Sequence, residues 1–448
     1  MKSHRKILRE LKWKGYTLRP RQEKLLPTLL RADHFMLLWQ MRMGKTLPSA
    51  IAVAARCDRP LIIAPPKVVP VWHEHMKLIE YQDHTIVSSG ILSPKEKEEN
   101  GKIVKIPNPK LSALLKKKFD GVVIDEIHQF RKDSARTNVV RKLVKGLDFR
   151  LGLTGTPFDR DLNEIFYPWM ILDDGDLLGT SKKKFHQAYC MKEDPYNKFS
   201  PWVFQPGMKQ ILETALSPNV DRHFPDSIKS PKVNLHRFTL TREQSEYIRD
   251  LRGGNEIEFF QGDDIEFNAG VIREKVFQVC SGFMIHTIYY DERDEKGERI
   301  VKRGITTKKW TKLRRLVHRL EGRGVVWVRY IEEYQCVLDT LSKYRIKKYS
   351  ASNLEALNKN KLDILVAHPR SAGVGVDISC ADWAIFVSET PSNIDQSQAR
   401  MRLSRVDGLE EKNLHYLLPE EEYNEDQHID IANKRMGLEK FLKGGEDE

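Results

Sequence analysis

Short apolar runs alternate along this chain with stretches of helical character, and that alternation limits the folds open to it more than any other feature. In the first half the runs are HFMLLW (34–39), PLIIAP (60–65), HTIVSS (84–89), GVVID (121–125) and RLGLTG (150–155). Each is aliphatic or β-branched and bounded by charge, glycine or proline, as strands buried in a parallel sheet tend to be. Helical stretches at 45–56, 108–118 and 135–145 lie between them. Such a sequence predicts an open α/β sheet whose ligands bind at the carboxyl ends of its strands.

A second series follows: NLHRFTL (234–240), GVVWVRY (324–330), LDILVAH (362–368), DWAIFVS (382–388) and LHYLLP (414–419), with helical stretches at 307–322 and 330–344. The chain therefore reads as two α/β lobes, residues 1–230 and 231–448, joined near the polar, proline-containing stretch 226–232. Two segments fit neither sheet. Residues 160–220 read as a helical protrusion of the first lobe, and residues 285–305 as a hairpin with DEKG as its turn.

Composition narrows the class. Lys and Arg number 75 against 63 Asp and Glu, a net charge of +12, which favours polyanionic partners such as nucleic acid. The five cysteines are scattered without a C-x-x-C pair, which argues against a disulfide framework or a structural zinc site. The basic N-terminus lacks the apolar core of a signal peptide, and no run approaches the ~18 apolar residues of a membrane span. A cytoplasmic protein without a membrane partner is expected.

Four pieces carry chemistry. WQMRMGKT (39–46) ends as a phosphate-binding loop ends, with Gly44-Lys45-Thr46 between a strand and a helix. Backbone N–H groups and the helix dipole face a phosphate at such a junction. Lys45 would reach the β- and γ-phosphates, and the Thr46 hydroxyl would hold Mg²⁺. VVIDEIHQF (122–130) places Asp125 and Glu126 behind a strand, one to hold Mg²⁺ and the other to orient and deprotonate a water. LGLTGTPFD (151–159) places Thr154, Gly155 and Thr156 behind another strand, able to hydrogen-bond the acidic pair. NIDQSQARMRLSRVD (393–407) spaces Gln398, Arg402 and Arg405 for one helical face, as arginine fingers would be.

Together these motifs resemble superfamily two helicases, and within them the Swi/Snf-like DNA translocases, from about residue 17 to residue 418. LRPRQEKLL (18–26) looks like the family's L-R-P-x-Q opening, in which Gln22 would contact adenine. LLWQMRMGKT (37–46) occupies the place of L-A-D-x-M-G-x-G-K-T, with Met43 and Gly44 in the loop. LIIAPPKVVPVWHEHM (61–76), VVIDEIHQFRK, LTGTPFDRDLNEIF, SAGVGVDISCADWAIFVSETPSN (371–393) and QARMRLSR (398–405) are similar to its remaining motifs. The resemblance implies two RecA-like lobes with an ATP site in the cleft between them, and ATP and Mg²⁺ as ligands. It also implies Gly375, Asp377 and Gln398 at the nucleotide and a monomer working on duplex, forked or branched DNA. Compact members resembling this chain are often encoded by bacteriophages, which would place it in host cytoplasm. Two alternatives stay open, an RNA helicase and an ATP-gated DNA clamp.

The pattern is broken at Arg42 and Ala372, each replacing a family glycine, at Ser404 for a histidine, at Arg160 for an asparagine, and at VDGLEE after Arg405. A negative φ is expected at Arg42, because a left-handed arginine would cost roughly 1–2 kcal/mol. Lys116–Lys118, Arg131-Lys132, Lys182–Lys184 and Lys308-Lys309 are candidate DNA contacts, and Trp13, Trp72, Trp169, Trp202 and Trp310 are expected to be packing residues.

Overall fold

The structure is a computed structural model that describes residues 3–93, 95–99, 102–106, 108–158, 161–197, 200–224, 231–253, 269–292, 295–372, 377–390, 392–403 and 412–420. Gly375, Arg405, Arg160 and Ser404 lie outside them. A first compact unit spans Met1–Ser227 and a second begins at Ile228.

Among the described residues the first unit carries ten strands: β1 (His34–Trp39), β2 (Pro60–Ala64), β3 (Thr85–Ser88), β4 (Lys95–Glu99), β5 (Lys102–Ile106), β6 (Gly121–Asp125), β7 (Phe149–Thr154), β8 (Cys190–Lys192), β9 (Trp202–Phe204) and β10 (Val220–His223). Six form one sheet in the order β10-β1-β7-β6-β2-β3, and every pairing in it is parallel. β4–β5 and β8–β9 are separate two-stranded hairpins. Because helices cover both faces of the sheet, β2 and β6 are buried at every residue, the physical reason for their unbroken apolar character. After β1 the chain crosses the places later filled by β7 and β6 to reach β2. The carboxyl ends of β1, β7 and β6 are therefore neighbours at a switch in strand order, where α/β sheets bind ligands.

The second unit repeats the plan. Its strands are β11 (Lys232–Phe238), the hairpin pair β12 (Phe283–Glu292) and β13 (Glu295–Gly304), β14 (Gly324–Trp327), β15 (Ile346–Lys348), β16 (Ile364–Ala367), β17 (Trp383–Phe386) and β18 (Asn413–Pro419). The main sheet runs β11-β18-β17-β14-β16-β15, again wholly parallel. One apolar cluster covers each face, around Val326, Ile385 and Leu313 on one side and Trp327, Phe386 and Tyr416 on the other. Two six-stranded parallel sheets flanked by helices make this a two-lobe RecA-like α/β fold. Among the described residues no helix is long and apolar enough to cross a membrane.

Two expectations need correction. The 160–220 segment is not simply a protrusion: helix Phe166–Asp173 is buried at all of its residues in the core of the first unit. FYPWMILD is apolar all round because it is surrounded. The same segment also returns β10 to the main sheet beside β1. In the 285–305 hairpin, the ladder continues to Glu292 opposite Glu295. Lys296 and Gly297 thus belong to a strand, and the reversal comes earlier than the DEKG reading placed it.

Candidate active site

β1 ends at Trp39, and helix Thr46–Arg56 begins after six more residues. The connecting loop is built from the inside out. Met41 and Met43 are both buried, so Arg42 between them must turn outward, and its φ is +69°, not negative. Burying a methionine side chain contributes about 1.5–3 kcal/mol, which outweighs the roughly 1–2 kcal/mol that a left-handed arginine costs. Arg19 Nη1 donates to the Arg42 carbonyl at 3.2 Å, and the Met43 N–H closes a turn onto Gln40 O at 3.3 Å. Gly44 has φ +76°, and a Cβ there would lie 2.5 Å from Gln22 Nε2. Glycine is therefore favoured by conformation, and a Cβ there would displace the Gln22 amide.

Gln22 explains that approach. Its Nε2 donates to Gly44 O at 2.8 Å, while its Oε1 accepts from the Arg19 N–H at 2.8 Å. The amide thus ties the start of helix Pro20–Leu29 to the loop. Lys45 Nζ donates to Trp39 O at 2.7 Å and lies within 3.4 Å of Gln40 O, folding over the loop. No side chain caps the N-terminus of helix Thr46–Arg56, which leaves it available to an anion. Beside it a cavity of about 590 Å³ lies between helices His4–Trp13 and Pro20–Leu29, with Tyr16, Leu18, Glu23 and Leu47 in its lining.

At the end of β6 the two carboxylates diverge. Asp125 Oδ1 accepts from the Glu126 N–H at 3.0 Å and Oδ2 from Trp72 Nε1 at 2.9 Å. Glu126 takes left-handed backbone geometry, φ 52° and ψ 51°, and so leaves the strand direction for the 3₁₀ turn Ile127–Phe130. Its Oε2 accepts from the Thr154 hydroxyl at 3.3 Å and lies 3.2 Å from His128 Nδ1. His128 Nδ1 also meets Thr154 Oγ1 at 2.8 Å, and that oxygen accepts the Thr156 N–H at 3.0 Å. The end of β7 thus anchors Glu126, one of the two carboxylates that the Thr-Gly-Thr segment was expected to hydrogen-bond. The same segment supports the phosphate loop, since a Cβ at Gly155 would lie 3.1 Å from Trp39 O.

Asp125 is raised to about 6, first by burial and then by the negative charge of Glu126. The Trp72 hydrogen bond and the nearby Lys45 charge pull the other way without prevailing. Two buried neighbouring carboxylates favour a cation, and the oxygen donors of Asp125 and Thr46 suit a hard one such as Mg²⁺.

Of the candidates in the second unit, Gln398 is buried on helix Asn393–Met401 and Arg402 stands at that helix's C-cap. The helix ends at Met401, and Arg405, the third residue of the expected face, lies outside the described residues. Asp377 Oδ1 accepts the Ser379 N–H at 2.9 Å. The Lys308-Lys309 patch also needs correction, because Lys309 is only 2% exposed. Its Nζ meets Glu333 Oε1 at 2.9 Å, Ser281 Oγ at 3.0 Å and Ser388 Oγ at 2.6 Å. Burial works against an ionised Glu333, but the Lys309 charge and these hydrogen bonds hold it below the usual carboxylate range. Lys309 therefore builds the core of the second unit and is not open to a phosphate backbone.

Sequence reasoning also passed over Trp72. As a packing residue it is indeed wholly buried. Its indole N–H, however, is what holds Asp125 Oδ2. Its place in the motif at 61–76, beside an acidic pair that needs a donor, was the available signal.

Fold, motif order and this convergence are similar to those of the superfamily two helicases. Comparison with known proteins agrees: residues 15–159 match the family "Type III restriction enzyme, res subunit". Two CHD3-type chromatin-remodeling factors of Arabidopsis thaliana are similar along most of the chain. CHR7 is 21% identical over 90% of this chain and 35% of its own length, and PICKLE 22% identical over 92% and 33%. This chain thus spans about a third of the length of those relatives. A solved structure titled "Sulfolobus solfataricus SWI2/SNF2 ATPase core in complex with dsDNA" is 15% identical, with a TM-score of 0.39, covering 96% of this chain and 94% of that one.

Proposed function

We propose that the chain is a DNA-dependent ATPase that couples ATP hydrolysis to movement along duplex or branched DNA. The observation that carries this reading is the convergence, at the ends of β1, β6 and β7, of Lys45, the Asp125–Glu126 pair and the Thr154 hydroxyl that donates to Glu126. In this reading the phosphates lie on the uncapped N-terminus of helix Thr46–Arg56, and Lys45 turns from Trp39 O to the β- and γ-phosphates. Thr46 and Asp125 hold Mg²⁺, which screens the phosphate charge. Glu126, fixed by Thr154 and His128, orients the attacking water and takes its proton. Gln22 keeps the Gly44 carbonyl turned away from the phosphates, and the cavity lined by Tyr16 and Leu47 takes the base. Arg402 and Arg405 are read as arginine fingers, and Gly375, Asp377 and Gln398 as nucleotide contacts, as the resemblance implies. Movement follows if the fingers engage in only part of the cycle.

Lys45→Ala and Glu126→Gln test the site. Glu126→Gln should lower kcat by about 10²–10⁴, and both variants should keep DNA affinity near wild type. Wild-type turnover in either would sink the assignment. ATPase rates with duplex, forked and single-stranded DNA and with RNA, measured beside displacement of a third strand, test the coupling. Stimulation by DNA without displacement would refute movement and leave a clamp.

A further inference from the structure

Trp39 is the last residue of β1 and is wholly buried, yet its indole N–H has a polar partner from a distant part of the chain. Nε1 donates to Asp221 Oδ2 at 2.6 Å. Asp221 lies on β10, in register with Leu37 of β1, and its other oxygen pairs with the Arg21 guanidinium. Arg21 directly precedes Gln22, whose Nε2 holds Gly44 O, and Lys45 Nζ holds Trp39 O. The contacts close a ring around the phosphate loop: Asp221, Arg21 and Gln22 to Gly44, and Asp221 and Trp39 to Lys45. β10 grips the loop twice more, through the Gln40 N–H to His223 O at 2.9 Å and the edge contact of the Trp39 and His223 rings, 5.4 Å between centroids.

We propose that Asp221 is a positioning residue for nucleotide binding, acting through Trp39 on the Lys45 end of the loop and through Arg21 on the Gln22 end. This rests on the reading of residues 39–46 as an ATP site. One carboxylate can serve both ends because its two oxygens face different partners. Neither the Trp39 nor the Arg21 contact could be supplied by β1 or by the helix beginning at Pro20 alone. The two arms also differ in kind. The indole N–H needs only an acceptor, whereas the guanidinium benefits from a charge.

The arms separate by substitution. Asp221→Ala removes both and should raise the KM for ATP about ten- to a hundredfold, the usual consequence of losing a charge-assisted hydrogen bond. Its kcat at saturating ATP should fall by less, because Glu126 and Thr154 are untouched. Asp221→Asn keeps an acceptor for Trp39 and should recover most of the affinity. Trp39→Phe removes the donor and leaves the carboxylate, so its KM should also rise, and Asp221→Ala with Trp39→Phe should be no worse than Asp221→Ala alone. A merely structural role would lower the melting temperature and leave KM unchanged below it. The proposal is overturned if Asp221→Ala and Trp39→Phe bind ATP within twofold of wild type while Lys45→Ala is inactive. If Asp221→Ala fails to fold, Trp39→Phe decides the matter by the same twofold criterion. Hydrolysis retained by Lys45→Ala would instead remove the ATP-site reading beneath it.

Discussion

Replacing Arg42 by glycine tests the account of the phosphate loop most directly, because two opposed backbone effects can be weighed from the structure. Arg42 sits at φ +69°, where a residue with a Cβ costs roughly 1–2 kcal/mol. Glycine removes that strain, but it makes the unfolded chain more disordered, at about 0.4–1 kcal/mol. The arginine side chain has contacts of its own, so Arg42→Gly against wild type would mix their loss with the backbone term. Arg42→Ala loses the same side chain but keeps a Cβ in the left-handed region. The difference between the two variants isolates the backbone. Arg42→Gly should be the more stable by about 0.5–1.5 kcal/mol. Urea unfolding of the full chain, followed by the emission of Trp39, Trp72 and Trp169 in the first unit, measures it. An Arg42→Gly protein no more stable than Arg42→Ala would refute the claim that burial of Met41 and Met43 forces the strained turn between them.

Further outcomes follow from the same geometry. Asp125 must be ionised to take up a cation, so kcat/KM for ATP, which reports the free enzyme, should fall as the pH drops through about 6, the value to which burial and Glu126 raise it. Trp72→Phe removes a hydrogen bond that lowers Asp125, so that acid limb should move to higher pH; an unmoved limb in the pH–rate profile would contradict the role given to Trp72. In the second unit, burial holds His415 at about 4, with the neighbouring His236 contributing less. Its folded value lies below its unfolded one, so its stabilising effect is complete above about pH 6.5 and is lost as the pH falls toward about 4. The slope is at most about 1.4 kcal/mol per pH unit. Equilibrium unfolding between pH 7 and 5 should show a shallower decline for His415→Gln than for wild type.

What the sequence made legible follows from where burial is two-sided. β1, β2, β6 and β7 are covered on both faces, so they were continuous apolar runs and could be placed within a residue or so. β10 sits at the sheet edge and reads VDRH, half-exposed and polar, and nothing in its composition marked a strand. Helix Phe166–Asp173 gave the opposite difficulty: with no polar face, it had no helical period to detect. Lys308 and Lys309 are adjacent in sequence, yet one is exposed and the other neutralises Glu333 inside a core. Charge counting treats them alike. Only the position of Glu333 and the serines around it distinguishes them.

The gathering of the loop's candidate residues was legible for a different reason, and its limits are instructive. Lys45, Thr46, Asp125, Glu126 and Thr154 each end or follow a strand, so a parallel sheet gathers them without help from side-chain detail. Trp39 shows what such reasoning omits. In the resembled motif L-A-D-x-M-G-x-G-K-T its place is held by an aspartate, and scored alone the tryptophan is a loss of charge at the loop. In the fold an acid is present all the same, supplied by Asp221 from 182 positions away and accepting a hydrogen bond from the residue that replaced it. Donor and acceptor at this point sit on two strands that pair only in the folded sheet. A substitution judged on β1 alone therefore has no defined effect until β10 is placed beside it.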